Sequence, residues 1–166
     1  MKQVAIVMTV FSLLFASCGV QKSTQNQTNS NKMETFDKIV YIFREASLPP
    51  QYYRNYTITL AKGTGNVRIY DYANDFLKKD FKVSGKKWAE LQEIAGKLTG
   101  ESVKITKGAT GTKTYSIELY AADKKVYSYV WDSLSDAGEV NASLQKLITE
   151  SVSPNLGGLV EKTMEK

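Results

Sequence analysis

The stretch Tyr52-Tyr53-Arg54-Asn55-Tyr56-Thr57-Ile58-Thr59-Leu60-Ala61, followed by Lys62-Gly63-Thr64-Gly65 and then by Asn66-Val67-Arg68-Ile69-Tyr70-Asp71-Tyr72-Ala73, decides the fold class. Its first arm alternates, with Tyr56, Ile58 and Leu60 on one side and Tyr53, Asn55, Thr57 and Thr59 on the other, the two-residue period of a half-buried strand. The glycines that follow can take positive φ without steric cost. The return arm sets Val67 and Ile69 against Arg68, Tyr70 and Tyr72. The whole reads as an antiparallel hairpin with one apolar side.

Working outward, Lys38-Ile39-Val40-Tyr41-Ile42-Phe43-Arg44 is apolar on both faces, as a central strand is, and Leu48-Pro49-Pro50 ends it. A weaker strand is expected from Phe76 to Val83. Ser84 then caps a helix running to about Thr99, with Trp88, Leu91, Ile94, Ala95 and Leu98 on one stripe and Gly100 as its stop. A short strand around Val103 to Thr106 and a loop over Lys107 to Thr112 lead to a second hairpin. There Tyr115, Ile117 and Leu119 alternate with Ser116, Glu118 and Tyr120, Ala122-Asp123-Lys124 turns, and Val126 to Trp131 returns. A last helix from about Ser135 to Val152 carries Val140, Leu144, Leu147, Ile148 and Val152 on one face. Pro154 and Gly157-Gly158 end it, and the tail from Leu159 carries little pattern. Strands then helix, twice over, has the form of a diverged duplication. It predicts an α+β fold: an antiparallel sheet of about five to seven strands with two helices packed on one face, and residues 36–166 as one domain.

Composition narrows the chemistry. The 166 residues include no histidine, which removes the commonest general base, the commonest zinc ligand and every Ser-His-Asp or Cys-His triad. There is one cysteine, Cys18, so no disulfide can form within the chain. The formal net charge of +5 is spread over many lysines and falls short of a nucleic-acid footprint.

The N-terminal end reads separately. Lys2 precedes an apolar run from Val4 to Phe15 broken only by Thr9 and Ser12, too short to span a bilayer and followed by small residues where a peptidase can cut. Leu14-Phe15-Ala16-Ser17-Cys18 resembles the lipobox of bacterial lipoproteins, with Phe15 where that family usually has Leu. The resemblance covers the first nineteen residues. It implies that residues 1–17 are a signal peptide, that the Cys18 sulfur takes a diacylglyceryl group, and that the new amine is acylated; the alternative is an ordinary cleaved signal leaving a free thiol. Gly19 lacks the aspartate that retains many such proteins in the inner membrane. The resemblance therefore implies a lipid anchor in the outer membrane facing the periplasm, or the outer side of the single membrane of a Gram-positive host. Residues 18–35, polar and of low complexity, read as a disordered tether. Random-coil scaling gives it a reach of roughly 20 to 24 Å.

With both helices on one face, the other stays open. Strand parity sends Tyr53, Arg68, Tyr70, Tyr72, Glu118 and Tyr120 to that open side. The last strand adds either Tyr127, Tyr129 and Trp131 or the smaller Val126, Ser128 and Val130, according to its register. Tyrosine and tryptophan give large, stiff, amphipathic contacts suited to a protein, peptide or glycan ligand. The alternative is that the tyrosines are core or ordinary cross-strand pairs.

Catalytic patterns are weak. Ser84-Gly85-Lys86-Lys87 matches the S-x-x-K pattern of penicillin-binding enzymes, and Ser135-Asp136 resembles the start of their S-D-N element, but no K-T-G strand accompanies them. Gly108 to Thr114 has the residue types of a phosphate loop without its spacing, and leads into a strand. Asp71, Asp75 and Asp80 do not keep the spacing of an EF-hand. A hydrolase using carboxylates such as Glu118 with Asp71 would need both acids in one cleft, and parity separates them. Asp132-Ser133-Leu134 resembles the Asp-Ser/Thr-apolar pattern that some Gram-negative bacteria O-glycosylate, which marks Ser133. Asn55 and Asn141 stand in eukaryotic glycosylation sequons that a bacterial lipoprotein would not use. No metal or cofactor is expected. The expectation is a tethered, non-catalytic binding domain; an assembly accessory of an envelope complex is the second reading. In architecture alone the helix-backed sheet resembles the β-lactamase-inhibitor-protein and PepSY-like groups, which bind proteins in the envelope.

Overall fold

The structure is a computed structural model that describes residues 35–49, 52–99, 102–108, 110–152 and 156–164. Residues 1–34, with the signal peptide, Cys18 and the tether, lie outside the described residues. The fold is α+β. Seven strands form one sheet: β1 Lys38–Arg44, β2 Asn55–Ala61, β3 Thr64–Tyr70, β4 Asp75–Phe81, β5 Ser102–Lys104, β6 Thr114–Ala121 and β7 Lys124–Asp132. The helices are α1 Gly85–Ala95, α2 Glu139–Val152 and α3 Leu156–Met164. Strand order is β4-β3-β2-β1-β6-β7-β5. All pairings are antiparallel except β5 with β7. β1 is thus central, as its two apolar faces require, and joins a four-stranded meander to the β6–β7 hairpin.

One face of the sheet is buried under helices. Ile39, Tyr41, Ile58, Leu60, Val67, Ile69, Ile117 and Leu119 from the strands meet Trp88, Leu91, Leu144 and Ile148 from α1 and α2. Each fully buried aliphatic side chain contributes about 1.5–3 kcal/mol. At one end of this face an aromatic row crosses four strands: Tyr56 stacks on Phe43 at 4.7 Å, Phe43 lies 5.4 Å from Tyr115, and Tyr115 stacks on Trp131 at 5.4 Å. These are directly opposed residues on neighbouring strands, where ring pairs add about 0.5–1.5 kcal/mol beyond their burial. The register of β7 is thereby decided, with Tyr127, Tyr129 and Trp131 under the helices. Nearby, Tyr41 accepts from Gln145 Nε2 at 2.8 Å.

Several boundaries differ from expectation for identifiable reasons. β2 begins at Asn55 rather than Tyr52. α1 starts where Ser84 accepts from the Lys87 N–H at 3.2 Å, but Gly96 and not Gly100 ends it. α2 starts at Glu139 rather than Ser135, because Asp136 accepts from the Gly138 N–H at 2.8 Å and Gly138 is left-handed at φ +75°. Gly157 and Gly158 do not end the helical region; they lie in the first turn of α3. Propensity yields there to burial, since Leu156, Leu159 and Val160 pack on the core and Thr163 is buried. Gly65 is required by packing rather than by its φ. A Cβ there would come within 2.4 Å of the Phe81 ring, which lies across the strand from it.

Two features yield predictions. The β6–β7 turn places Ala122 at φ +46° and Asp123 at φ +66°, a mirror-image turn built without glycine. It is held by Asp37, which accepts from the Ala122 N–H at 3.0 Å, and by Lys38 on Asp123 at 2.6 Å. A left-handed alanine costs about 1–2 kcal/mol, part of which glycine returns in chain entropy. Ala122→Gly is therefore expected to stabilise the domain by about 0.5 kcal/mol, read as a higher urea midpoint with an unchanged slope; an unmoved midpoint would mean that the chain entropy glycine adds to the unfolded state cancels the relieved strain.

The second feature is the fully buried Asp132. Its carboxylate accepts from the Thr106 N–H at 2.5 Å, the Leu134 N–H at 2.9 Å and the Thr106 hydroxyl at 3.2 Å, tying the segment after β5 to the turn after β7. These bonds, the Thr106 N–H first, hold its pKa at about 2. Since the unfolded value is about 3.9, the stabilisation is complete above that value and is lost as pH falls through about 2. Asp132→Asn should flatten the acid-unfolding curve between these limits while leaving its alkaline limb unchanged, as followed by circular dichroism.

Candidate functional site

The helix-free face is built by strand parity. Directly opposed residues share a face, so the pairings define rows across it. One row runs Arg68, Thr57, Ile42, Ser116, Val130, Val103. The next runs Asn66, Thr59, Val40, Glu118, Ser128. Val40, Ile42 and Val130 are half-buried, while Val103 is 69 % exposed. The middle of the face is thus aliphatic and hydroxyl-bearing apart from Glu118, with a shallow hollow of about 100 Å³ between Ile42, Arg44, Ser116, Glu118 and Val130.

Charged residues and tyrosines surround that middle. Arg68 and Tyr70 are on this face, with the guanidinium 4.6 Å from the Tyr70 ring and Arg68 Nε 2.6 Å from Asp75. Glu118 and Tyr120 are also on it. The Tyr120 O–H donates to Glu118 Oε2 at 2.6 Å, and Lys125 reaches Oε1 of the same carboxylate at 3.1 Å. That donated bond, which an ionised phenol would lose, pushes Tyr120 up to about 12, so it is no base near neutral pH. Lys38 lies 4.8 Å from the Tyr120 ring.

The six residues expected together do not form one surface. Tyr70 is level with Asn55 at one end of β2, whereas Tyr120 is level with Lys38, which faces Ala61 at the other end. At about 3.3 Å per residue those ends are roughly 20 Å apart. Tyr53 is a correction: it is buried and precedes β2. The strand stops short of it because its partner β3 turns away after Tyr70, where Asp71 starts the β3–β4 turn, and the Tyr53 carbonyl accepts from the Arg54 side chain instead, so parity does not reach that far. Tyr72 is 80 % exposed, but in the β3–β4 turn rather than in the strand. Asp71 closes that turn by accepting from the Ala73 and Asn74 N–H groups at 2.8 and 2.7 Å. The Tyr53 and Tyr72 rings lie 5.4 Å apart beside the sheet. Parity reasoning missed Val40 and Ile42, although the two-sided apolar character of Lys38 to Arg44 was a signal for them, and Val130 belongs to the smaller of the two sets expected from β7.

The remaining candidates resolve individually. Ser84 caps α1. The same two turn bonds lower the Asp71 pKa, Asp75 pairs with Arg68, and Asp80 accepts from Asn66 at 2.6 Å. Asp71 and Glu118 thus serve different partners. Among the described residues no three His, Cys, Asp or Glu side chains gather in a metal-holding group, and no helix is long and apolar enough to cross a membrane. Ser133 is exposed in the turn after β7, its N–H donating to the Lys113 carbonyl at 2.9 Å. Asn55 and Asn141 are both buried. Comparison of the chain with protein-family models, with curated proteins and with solved structures finds no match.

Proposed function

We propose that the chain is an envelope lipoprotein, held to the outer membrane through Cys18 and facing the periplasm, whose folded domain is a non-catalytic module that docks a protein partner on the helix-free face. The observation that carries the reading is the layout of that face: Val40, Ile42 and Val130 in the middle with Ser116 and Glu118 between them, and Lys38, Arg68, Tyr70 and Tyr120 around them. An apolar centre with a polar rim is the usual anatomy of a protein interface. A glycan platform needs aromatic planes in the centre, and here the tyrosines lie at the ends. Strand addition at the sheet edges is disfavoured, because β4 carries Lys78, Lys79 and Asp80 and β5 has only three residues.

Two measurements test this. In a pull-down from solubilised envelope, the chain should retain a partner that Ile42→Lys releases and that Tyr120→Ser only weakens, both variants having the parent's circular dichroism. Equal retention by Ile42→Lys would move docking off this face. Separately, cells grown with labelled palmitate should label the chain, and Cys18→Ala should abolish the label; label that survives the substitution would refute the anchor.

A further inference from the structure

A second concavity, of about 410 Å³, lies on the helix side between the ends of β1 and β2 and helix α3. That volume falls within the range usual for small-molecule sites. Phe43 and Tyr56, stacked on one another, face Leu156 and Val160 of α3 across it. Leu48 and Tyr52, 44 % and 55 % exposed, form an apolar lip. This cleft is separate from the docking face, because Phe43 alternates with Val40 and Ile42 along β1 and points the other way.

Two oppositely charged side chains at the cleft are each 8 % exposed, and they are balanced differently. Glu45 accepts from the Ser47 N–H at 3.0 Å and from the Ser47 hydroxyl, and pairs with Lys113 at 3.5 Å. It is compensated. Arg54 donates from Nη1 to the Tyr53 carbonyl at 2.8 Å and from Nη2 to the Thr163 carbonyl at 3.0 Å, and lies 4.0 Å from the Phe76 ring. Its charge helps to lower the pKa of Asp71, whose carboxylate is engaged in its own turn. Among the described residues no carboxylate pairs with Arg54, and its enclosed Nε–H has no acceptor. A buried cation whose counter-charge acts only from a distance, without a directly paired carboxylate, is costly. A carboxylate fits the guanidinium fork in shape and charge.

We propose that the cleft binds a small amphipathic carboxylate, its apolar body between the Phe43–Tyr56 pair and α3 and its head against Arg54. One negative charge matches the Arg54 guanidinium, with which no carboxylate pairs among the described residues. Glu45 and Glu161, which also line the cleft, repel a dianion.

The test uses the chain from residue 18 onward with Cys18→Ser, which contains the whole compact unit of residues 31–166, titrated calorimetrically without detergent against decanoate and decanol. Saturable one-to-one binding of decanoate, at least tenfold tighter than of decanol, is expected. Absence of saturable binding, or equal affinity for the two, overturns the proposal. Gly157 lines the cleft and a Cβ there meets nothing within 4 Å, so Gly157→Trp, checked by circular dichroism to be folded, should block the cleft; decanoate binding that survives it would place the ligand elsewhere and overturn the assignment. Arg54→Met should remove the preference for decanoate over decanol. If that variant does not fold, the decanol comparison and Gly157→Trp still decide. A peptide that binds more tightly than decanoate, and only with a free C-terminal carboxylate, would replace the small ligand with a protein terminus and likewise overturn it.

Discussion

The pairing of β1 with β6 is the constraint on which the rest depends. It runs from Lys38 opposite Tyr120 to Arg44 opposite Thr114 and joins segments far apart in the chain, so its loop-closure entropy must be met before its contacts form. Without it the four-stranded β1–β4 meander and the three-stranded β6-β7-β5 group are two separate sheets, and the apolar surface is split between them. With it, Ile39, Tyr41 and Phe43 come opposite Leu119, Ile117 and Tyr115, and one continuous apolar surface takes α1 and α2.

Both proposed binding regions follow from that join. On the helix side it lines up Tyr56, Phe43, Tyr115 and Trp131, and the Phe43–Tyr56 pair becomes one wall of the cleft under α3. On the other side the same strands present Val40, Ile42, Ser116 and Val130 as a shallow field of aliphatic and hydroxyl side chains. β1 therefore serves two surfaces by alternation alone, which is why a run apolar on both faces stands at the centre of the sheet.

The hairpins were legible because their signals are local. Alternation in Tyr56 to Leu60 and in Tyr115 to Leu119 depends on nearest neighbours, and Gly63 takes the positive φ its turn needs. Ser84 as a cap was legible for the same reason. The misplaced residues share a different origin. Alternation continues through Tyr53, yet the ladder ends first, at Asn55 opposite Tyr70, because β3 turns at Asp71. Gly157 and Gly158 read as a stop, yet burial of Leu156, Leu159 and Val160 outweighs their propensity, which is worth only about 1 kcal/mol each.

By itself, the amino-acid sequence determined the class of the domain, its two principal hairpins, the helix cap at Ser84 and the apolar faces of α1 and α2, because each is written in residues within a few positions of one another. Only the tertiary structure decided which strand lies beside which, that the aromatic side of β7 is core, that the tyrosines of the open face stand apart, and that Arg54 is buried without a carboxylate partner among the described residues. Those outcomes rest on contacts between residues far apart in the chain. Side-chain alternation is the same whichever neighbour a strand acquires, so it cannot specify them.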